Sequence, residues 1–282
     1  MRARAPASSA NLGPGFDTLA VAVALYVEVD VTDADQLTVR TEGEGADLPQ
    51  DAGHLAARIA IDVRGHDRLA VTVRSDIPVG RGLGSSAALA AAAAAAAGAP
   101  DPLAVAAEVD GHPENAAASV LGGLVTATTV GGQAVVSALP LDADLAFVVL
   151  VPDRTLPTKE ARAALPAAVP HADAAFNLGR MGLLLTGLAD ASRLRPAATE
   201  DRLHQHQRAP LFPEAAGLMA ALVEGGALAA CWSGAGPTLL GIVRGGDAER
   251  VRFAGQAALA DAGVTGRALI LEADRQGLTI LG

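Results

Sequence analysis

Three stretches near the start of the chain alternate apolar with polar residues or run rich in valine: "LAVAVALYVEVDVT" (19 to 32), "QLTVRTE" (36 to 42) and "RLAVTVRS" (68 to 75). A period of two predicts strands, so the first half opens on a sheet. Between them "QDAGHLAARIAIDVRG" (50 to 65) sets apolar residues at helical spacing. From Ser85 to Ala97 nearly every residue is alanine, the best helix former, and Gly98 and Pro100 end the run. A third helix is expected from Asp101, whose side chain can cap it, to about Val109, with a break at "DGHPEN". "GGLVTATTV" and "QAVVSALPL" then read as a hairpin across Gly131 and Gly132.

The pattern restarts at "LAFVVLVP" (145 to 152): a strand, a Thr/Lys/Arg segment and a long helical stretch at 170 to 190. A helix at "PEAAGLMAALVEGG", strands at "ALAACWS" and "PTLLGIV", a helix at 247 to 262 and a last strand at "ALILEA" follow. Helices and strands mix throughout, without repeats. The expectation is an α+β protein of two domains, 1–145 and 146–282.

Composition narrows the function. The 282 residues are 51% hydrophobic and 18% charged, enough for a sizeable core. A formal net charge of -10 leaves no footprint for nucleic acid or an anionic membrane, which points to a small-molecule partner. Cys231 is the single cysteine, so no internal disulfide framework exists, and no Cys/His cluster has zinc spacing. The N-terminus lacks the apolar core of a signal peptide, and the alanine run is too short to span a bilayer. A cytoplasmic location is expected. Lys159, the one lysine among many arginines, reads as genomic base composition.

A strand, then "PVGRGLGSS", then a long helix is a layout in which backbone amides and a helix N-terminus can converge on an anion. It is equally the layout of a tight turn entering a good helix. No lysine follows the glycines, which excludes a Walker-type loop. "GLGSSA" fits the permissive dinucleotide pattern, yet "APDPLAVAAEVD" after Gly98 is helical where that unit requires a strand ending in an acidic residue.

"PVGRGLGSSAA" (78 to 88) resembles the central motif of the GHMP small-molecule kinases, whose glycine loop wraps the ATP phosphates. "PASSANLGPGFDTLAVAVALYVEV" (6 to 29) is similar to the superfamily's first motif in its homoserine kinase form, and "SGAGPTLLGIV" (233 to 243) to the third. "GHPENAAASVLGGL", "TKEARAALP" and "DRLHQHQRAPLFP" resemble segments of homoserine kinases in particular, so the likeness covers nearly the whole chain. It implies the GHMP kinase fold: an N-terminal ATP-binding domain, a C-terminal ferredoxin-like domain, and a site in the cleft between them. The implied reaction is ATP plus L-homoserine giving ADP and O-phospho-L-homoserine, toward threonine, with Mg²⁺ as cofactor. The likeness leaves room for a homodimer.

On that resemblance Pro78, Val79, Gly80, Arg81, Gly82, Leu83, Gly84, Ser85, Ser86, Ala87 and Ala88 hold the ATP phosphates, with a hydroxyl of Ser85 or Ser86 near Mg²⁺. Mg²⁺ takes oxygen ligands and usually one or two carboxylates. The resemblance points to Glu108 as the carboxylate, although a lone helical Glu is otherwise a solvated residue. Asp17 lies beside the reacting hydroxyl, with Asn11 nearby; it orients that hydroxyl or takes its proton, and homoserine kinases are suspected of leaving the proton to the ATP phosphate. Arg162 and Arg208 suit the acceptor carboxylate because a guanidinium fork binds it bidentately. Thr158 can share that role if the segment is helical. His112, Asn115 and the backbone at Gly234 complete the pocket. Gly84 is expected to be required for close approach of the phosphates.

Each residue also has a plainer reading. Isolated arginines are mostly solvated, Asn11 and Asp17 can be turn residues, and His112 can brace a loop. Cys231 and Trp232 read as core; His204 and His206 read as surface. Where the family pattern has "EGHPDN" this chain has "DGHPEN", and His54 stands where Asn is common, a change expected near the adenosine half of ATP. A GHMP kinase for another alcohol, such as mevalonate or a sugar, is the nearest alternative. A catalytically silent ATP-binding regulator on the same fold is the alternative of another class.

Overall fold

The computed structural model describes residues 1–281. Strands β1 (Arg2–Asn11), β2 (Gly15–Asp33) and β3 (Thr38–Gly43) lead into helix α1 (Leu55–Arg64) and strand β4 (Leu69–Ser75). Helices α2 (Ser85–Ala97), α3 (Pro102–Asp110) and α4 (Glu114–Leu121) precede the hairpin β5 (Leu124–Val130) and β6 (Gln133–Leu139). The second half runs β7 (Leu145–Pro152), α5 (Thr158–Ala163), α6 (His171–Ala189), α7 (Gln205–Arg208), α8 (Ala215–Glu224), β8 (Ala229–Trp232), β9 (Leu239–Arg244), α9 (Ala248–Asp261), β10 (Gly266–Glu272) and β11 (Thr279–Leu281).

Two sheets form. The first is ordered β11-β1-β2-β4-β3, with β5 also pairing β2 and β6 beyond it. The second is antiparallel, β10-β7-β9-β8, with α8 and α9 against it in the expected ferredoxin-like α+β order. Strand β11 does not join this second sheet; it pairs antiparallel with β1, closing the first sheet with the far end of the chain. One hydrophobic core runs from Ala5 and Val21 through the α2 alanines to Phe147 and Leu240, so the sheets share an interior. A second cluster, including Leu150, Leu222 and Val251, lies under α8 and α9.

The alanine helix is buried on every side, against β1, β2, α1, α3 and α4. Gly84 stands at its N-cap with no side-chain cap, and Gly98 ends it in the left-handed conformation. Asp101 caps α3 as expected, its side chain accepting from Ala104 N at 3.0 Å. Strand β1 went unread because the Arg/Ala alternation of Arg2 to Ala5 is short and the "PASSAN" that follows lacks both bulk and alternation; its small residues from Ala5 onward are buried beneath α2. Pro6 sits at a register shift, where a missing N–H is tolerated. "DGHPEN" breaks the chain only briefly before α4 starts at Glu114. Among the described residues no helix is long and apolar enough to cross a membrane.

Candidate active site

A cavity of about 600 Å³ opens between the halves, walled by the glycine loop, the N-terminus of α2, the α3–α4 turn, α5 and α7. Gly80, Gly82 and Gly84 all have φ between +64° and +78°, a region glycine enters without steric cost. The loop turns its carbonyls into the protein: Gly80 O accepts from Leu156 N (3.2 Å), Arg81 O from Thr238 N (3.3 Å), Gly82 O from Ser233 Oγ (2.6 Å) and Leu83 O from Ser8 N (3.2 Å). None of the backbone N–H groups of residues 80 to 87 donates to a protein acceptor among the described residues. The loop and the uncapped start of α2 are therefore a set of free donors at a cavity wall, which is what a polyanion requires.

Val79, Gly80, Arg81, Gly82, Gly84, Ser85 and Ser86 line this cavity. Pro78, Leu83, Ala87 and Ala88 do not; the last three are fully buried in the core and hold the loop from behind. Gly84 is glycine for a different reason from the one expected. A Cβ there would strike Ser8 Oγ and lie 3.1 Å from Asn115 Oδ1, so packing against β1 and α4 forbids a side chain before any ligand does.

Of the two carboxylates at the end of α3, Asp110 and not Glu108 reaches the cavity. The Asp110 carboxylate accepts from Ser86 Oγ at 2.5 Å and lines the cavity, whereas Glu108 is exposed on α3 and lies outside the lining. Two positions on a helix are about 200° apart, so these carboxylates cannot share a face. Burial raises the pKa of Asp110 above the ordinary value, against the pull of the Ser86 hydrogen bond and His112.

Elsewhere on the cavity wall Asp17, His112 and Glu114 each bring one ligand-capable atom within 4.8 Å of the others. Glu114 is 1% exposed; its Oε1 is 2.6 Å from His112 Nδ1, and its Oε2 has no protein partner. Burial works against a charged His112, but Glu114, Asp110 and Asp17 outweigh it and raise its pKa. Asn115 lines the cavity and accepts from Ser8 Oγ at 2.9 Å. Asn11 is a brace: Oδ1 accepts from Asp17 N (3.0 Å) and Nδ2 donates to Gly234 O (2.9 Å). Asn11, Leu12 and Asp17 all have positive φ, and the Asn11 contacts help to hold that unfavourable backbone.

The two arginines divide. Arg162 places its fork on Asp17, at 3.0 and 2.8 Å, where an acceptor carboxylate was expected. Segment 158 to 163 is helical, so Thr158 and Arg162 stand one turn apart and both line the cavity. Arg208 is 2% exposed, with Nε on Ala161 O (3.2 Å) and Nη1 on Gly234 O (3.2 Å) and His204 Nδ1 (3.0 Å). Burial, aided by Arg162, lowers its pKa to about 10, which leaves it charged at neutral pH. Nη2 has no protein partner among the described residues. His204, expected at the surface, is fully buried; His206 is exposed. Cys231 and Trp232 are buried in β8.

The pattern of "GHMP kinases N terminal domain" matches residues 51–123, and that of "GHMP kinases C terminal" matches residues 175–261. A homoserine kinase of Rhodococcus opacus is 44% identical over 85% of this chain and 86% of its own length. The chain belongs to the homoserine kinase family of GHMP kinases. A homoserine kinase of Streptomyces coelicolor is 40% identical across the whole chain and 94% of its own length. The crystal structure of a homoserine kinase from Cytophaga hutchinsonii superposes with a TM-score of 0.85 at 26% identity, covering 100% of this chain and 97% of that one. Within this kinase fold, Asp110 and Glu114 line the cavity although the sequence did not single them out, and both stand in the quoted "DGHPEN". Nor did it single out the apolar wall of Leu48, Pro49, Leu55 and Leu89, which carries no motif. His54, flagged for the adenosine half, lines the cavity beside that wall and caps α1, its Nδ1 accepting from Ala56 N at 3.2 Å.

Proposed function

We propose that this kinase transfers the γ-phosphoryl group of ATP to the side-chain hydroxyl of L-homoserine, giving ADP and O-phospho-L-homoserine on the route to threonine, in the cytoplasm. The observation that carries the reading is the row of free N–H donors from the glycine loop into α2, facing a cavity whose other wall holds carboxylates and arginines. On this reading residues 1–145 form the domain that binds ATP, and the domain from residue 146 onward supplies Arg162 and Arg208.

The donor set fits Mg²⁺: the Asp110 carboxylate and the Ser86 hydroxyl are hard oxygen ligands in mutual contact at the start of α2. Bound there, the ion supplies charge neutralisation at the phosphates. The apolar wall by His54 and Leu55 suits the nucleotide base, and the loop amides suit the phosphates. Asp17, fixed by Arg162, and Glu114, with one oxygen free, suit the acceptor's ammonium and orient its hydroxyl. Asp17 is a positioning carboxylate, because both its oxygens already accept from Arg162. The free Nη2 of Arg208, with Thr158 beside the cavity, suits the acceptor carboxylate. The protein's work is alignment and electrostatic stabilisation, which is what phosphoryl transfer demands.

ADP release measured with L-homoserine, L-serine, mevalonate and a panel of sugars tests the reading. Homoserine is expected to turn over with a dependence on Mg²⁺. Serine is expected to be much poorer, its hydroxyl set one methylene short of the phosphate. Efficient turnover of mevalonate or a sugar with none of homoserine would overturn the assignment; no turnover of any alcohol would favour a silent nucleotide-binding protein.

A further inference from the structure

His204 does not line the cavity and is fully buried, yet it touches two parts of the site. The turn that presents it is held by Asp201. One Asp201 oxygen accepts from Asn177 Nδ2 (2.7 Å) and Leu203 N (2.9 Å); the other accepts from His204 N (2.8 Å) and Gln205 N (2.7 Å). Phe16 stacks on the imidazole with ring centroids 5.2 Å apart, and the same ring lies 5.5 Å from the Arg208 guanidinium. The charged groups facing the imidazole are Asp201 and Arg208 from its own segment and Asp17 from β2.

The contacts fix one tautomer. A guanidinium only donates, so His204 Nδ1, 3.0 Å from Arg208 Nη1, is the acceptor. A carbonyl only accepts, so Nε2, 2.8 Å from Gly13 O, carries the proton. Asp201 Oδ2 stands 3.7 Å from Nε2, beyond hydrogen-bond range. Burial keeps the ring neutral by lowering its pKa to about 4, with Asp201 opposing and Arg208 assisting the fall. An imidazolium would have no lone pair for Arg208.

We propose that His204 is a positioning residue: its Nδ1 lone pair fixes the Arg208 guanidinium with Nη2 free for the acceptor carboxylate, while Nε2–H ties that arginine to the Gly13 loop leading to Asp17. Three acceptors, Ala161 O, Gly234 O and His204 Nδ1, then hold the guanidinium. Two of them are backbone; the imidazole is the only one a substitution can remove. The inference rests on the reading of Arg208 as the carboxylate partner.

Steady-state kinetics with L-homoserine and with 3-amino-1-propanol, which is homoserine without its carboxylate, test it; the second is measured as a substrate or as a competitive inhibitor. His204→Ala is expected to raise the homoserine KM about tenfold or more, leaving the ATP KM and the aminopropanol constant little changed. The double variant with Arg208→Ala is expected to be no worse than Arg208→Ala alone. His204→Asn, whose Oδ1 stands in for Nδ1, should restore most of the homoserine KM, whereas His204→Gln, which reaches instead for Gly13, should not. The Asn and Gln variants decide the matter alone if the Ala variant does not fold. Equal damage toward both alcohols, or effects that multiply in the double variant, would overturn the proposal. If Arg208→Ala spares homoserine, the carboxylate assignment falls and takes this inference with it. If Arg208→Ala damages homoserine binding and no His204 variant does, the inference alone falls.

Discussion

Asp110 and Glu108 differ by two positions on α3 and therefore by which side of the helix they occupy. The Ser86 hydroxyl selects Asp110, and solvent receives Glu108. Asp110→Asn is accordingly expected to lower kcat tenfold or more, on the order expected for losing a ligand to a phosphate-bound metal, and to raise the Mg²⁺ concentration needed for half-maximal rate. Glu108→Gln is expected to leave both within about twofold, as for a surface substitution. A Mg²⁺ titration of the two variants checks this; the reverse ranking would return the metal site to Glu108. Arg162 likewise takes its partner from the fold. Its fork is what the sequence offers to a carboxylate, and in the fold the carboxylate it meets is Asp17.

At the scale of elements, α2 shows why a helix can be nearly all alanine. Enclosed by two strands and three helices, it leaves no room for branched side chains, and the small residues let the β1 and β2 backbones come close beneath it. Ala92→Leu, at a fully buried position, is expected to cost about 1 to 3 kcal/mol through overpacking. The urea midpoint checks this, and an unchanged midpoint would mean that the packing has slack. Most elements were legible because period and punctuation agreed: "RLAVTVRS" gave β4, and Asp101 with Pro102 gave the start of α3. Strand β1 and helix α4 were not, for opposite reasons. The first is buried without being bulky, and the second begins directly after a Gly-His-Pro break that reads as a loop.

Across the whole molecule, His204 joins the first loop of the chain to its second half, and its neutrality links the fold to pH. A histidine ordinarily near 6.5 that falls to about 4 on folding takes up protons more readily when unfolded. Stability is therefore expected to decline as pH falls from about 6.5 toward 4, with a contribution on the order of 3 kcal/mol. His54, also lowered by burial, acts in the same sense. Asp110, raised by burial, acts in the opposite sense above its ordinary value of 3.8. The difference between the wild type and His204→Asn isolates the term: urea unfolding at pH 7 and pH 5 should show a flatter dependence in the variant, and parallel curves would mean that His204 does not titrate in this window. The closing of the first sheet is likewise a property of the whole. β11 returns to β1, and Asp274 accepts from Tyr26 Oη (2.9 Å), Gln276 N (3.0 Å) and Gly277 N (2.6 Å), a pairing that no local pattern announces. The α+β class, the family, the glycine loop and most of the residues around the cavity can be read along the chain, because these depend on local periodicity and on contiguous motifs. The folded arrangement alone brings Asp110 rather than Glu108 to Ser86, pairs Arg162 with Asp17, and sets His204 against Arg208. Those choices depend on which face of a helix turns inward and on contacts between residues as far apart as Asp17 and Arg162, and a linear pattern encodes neither.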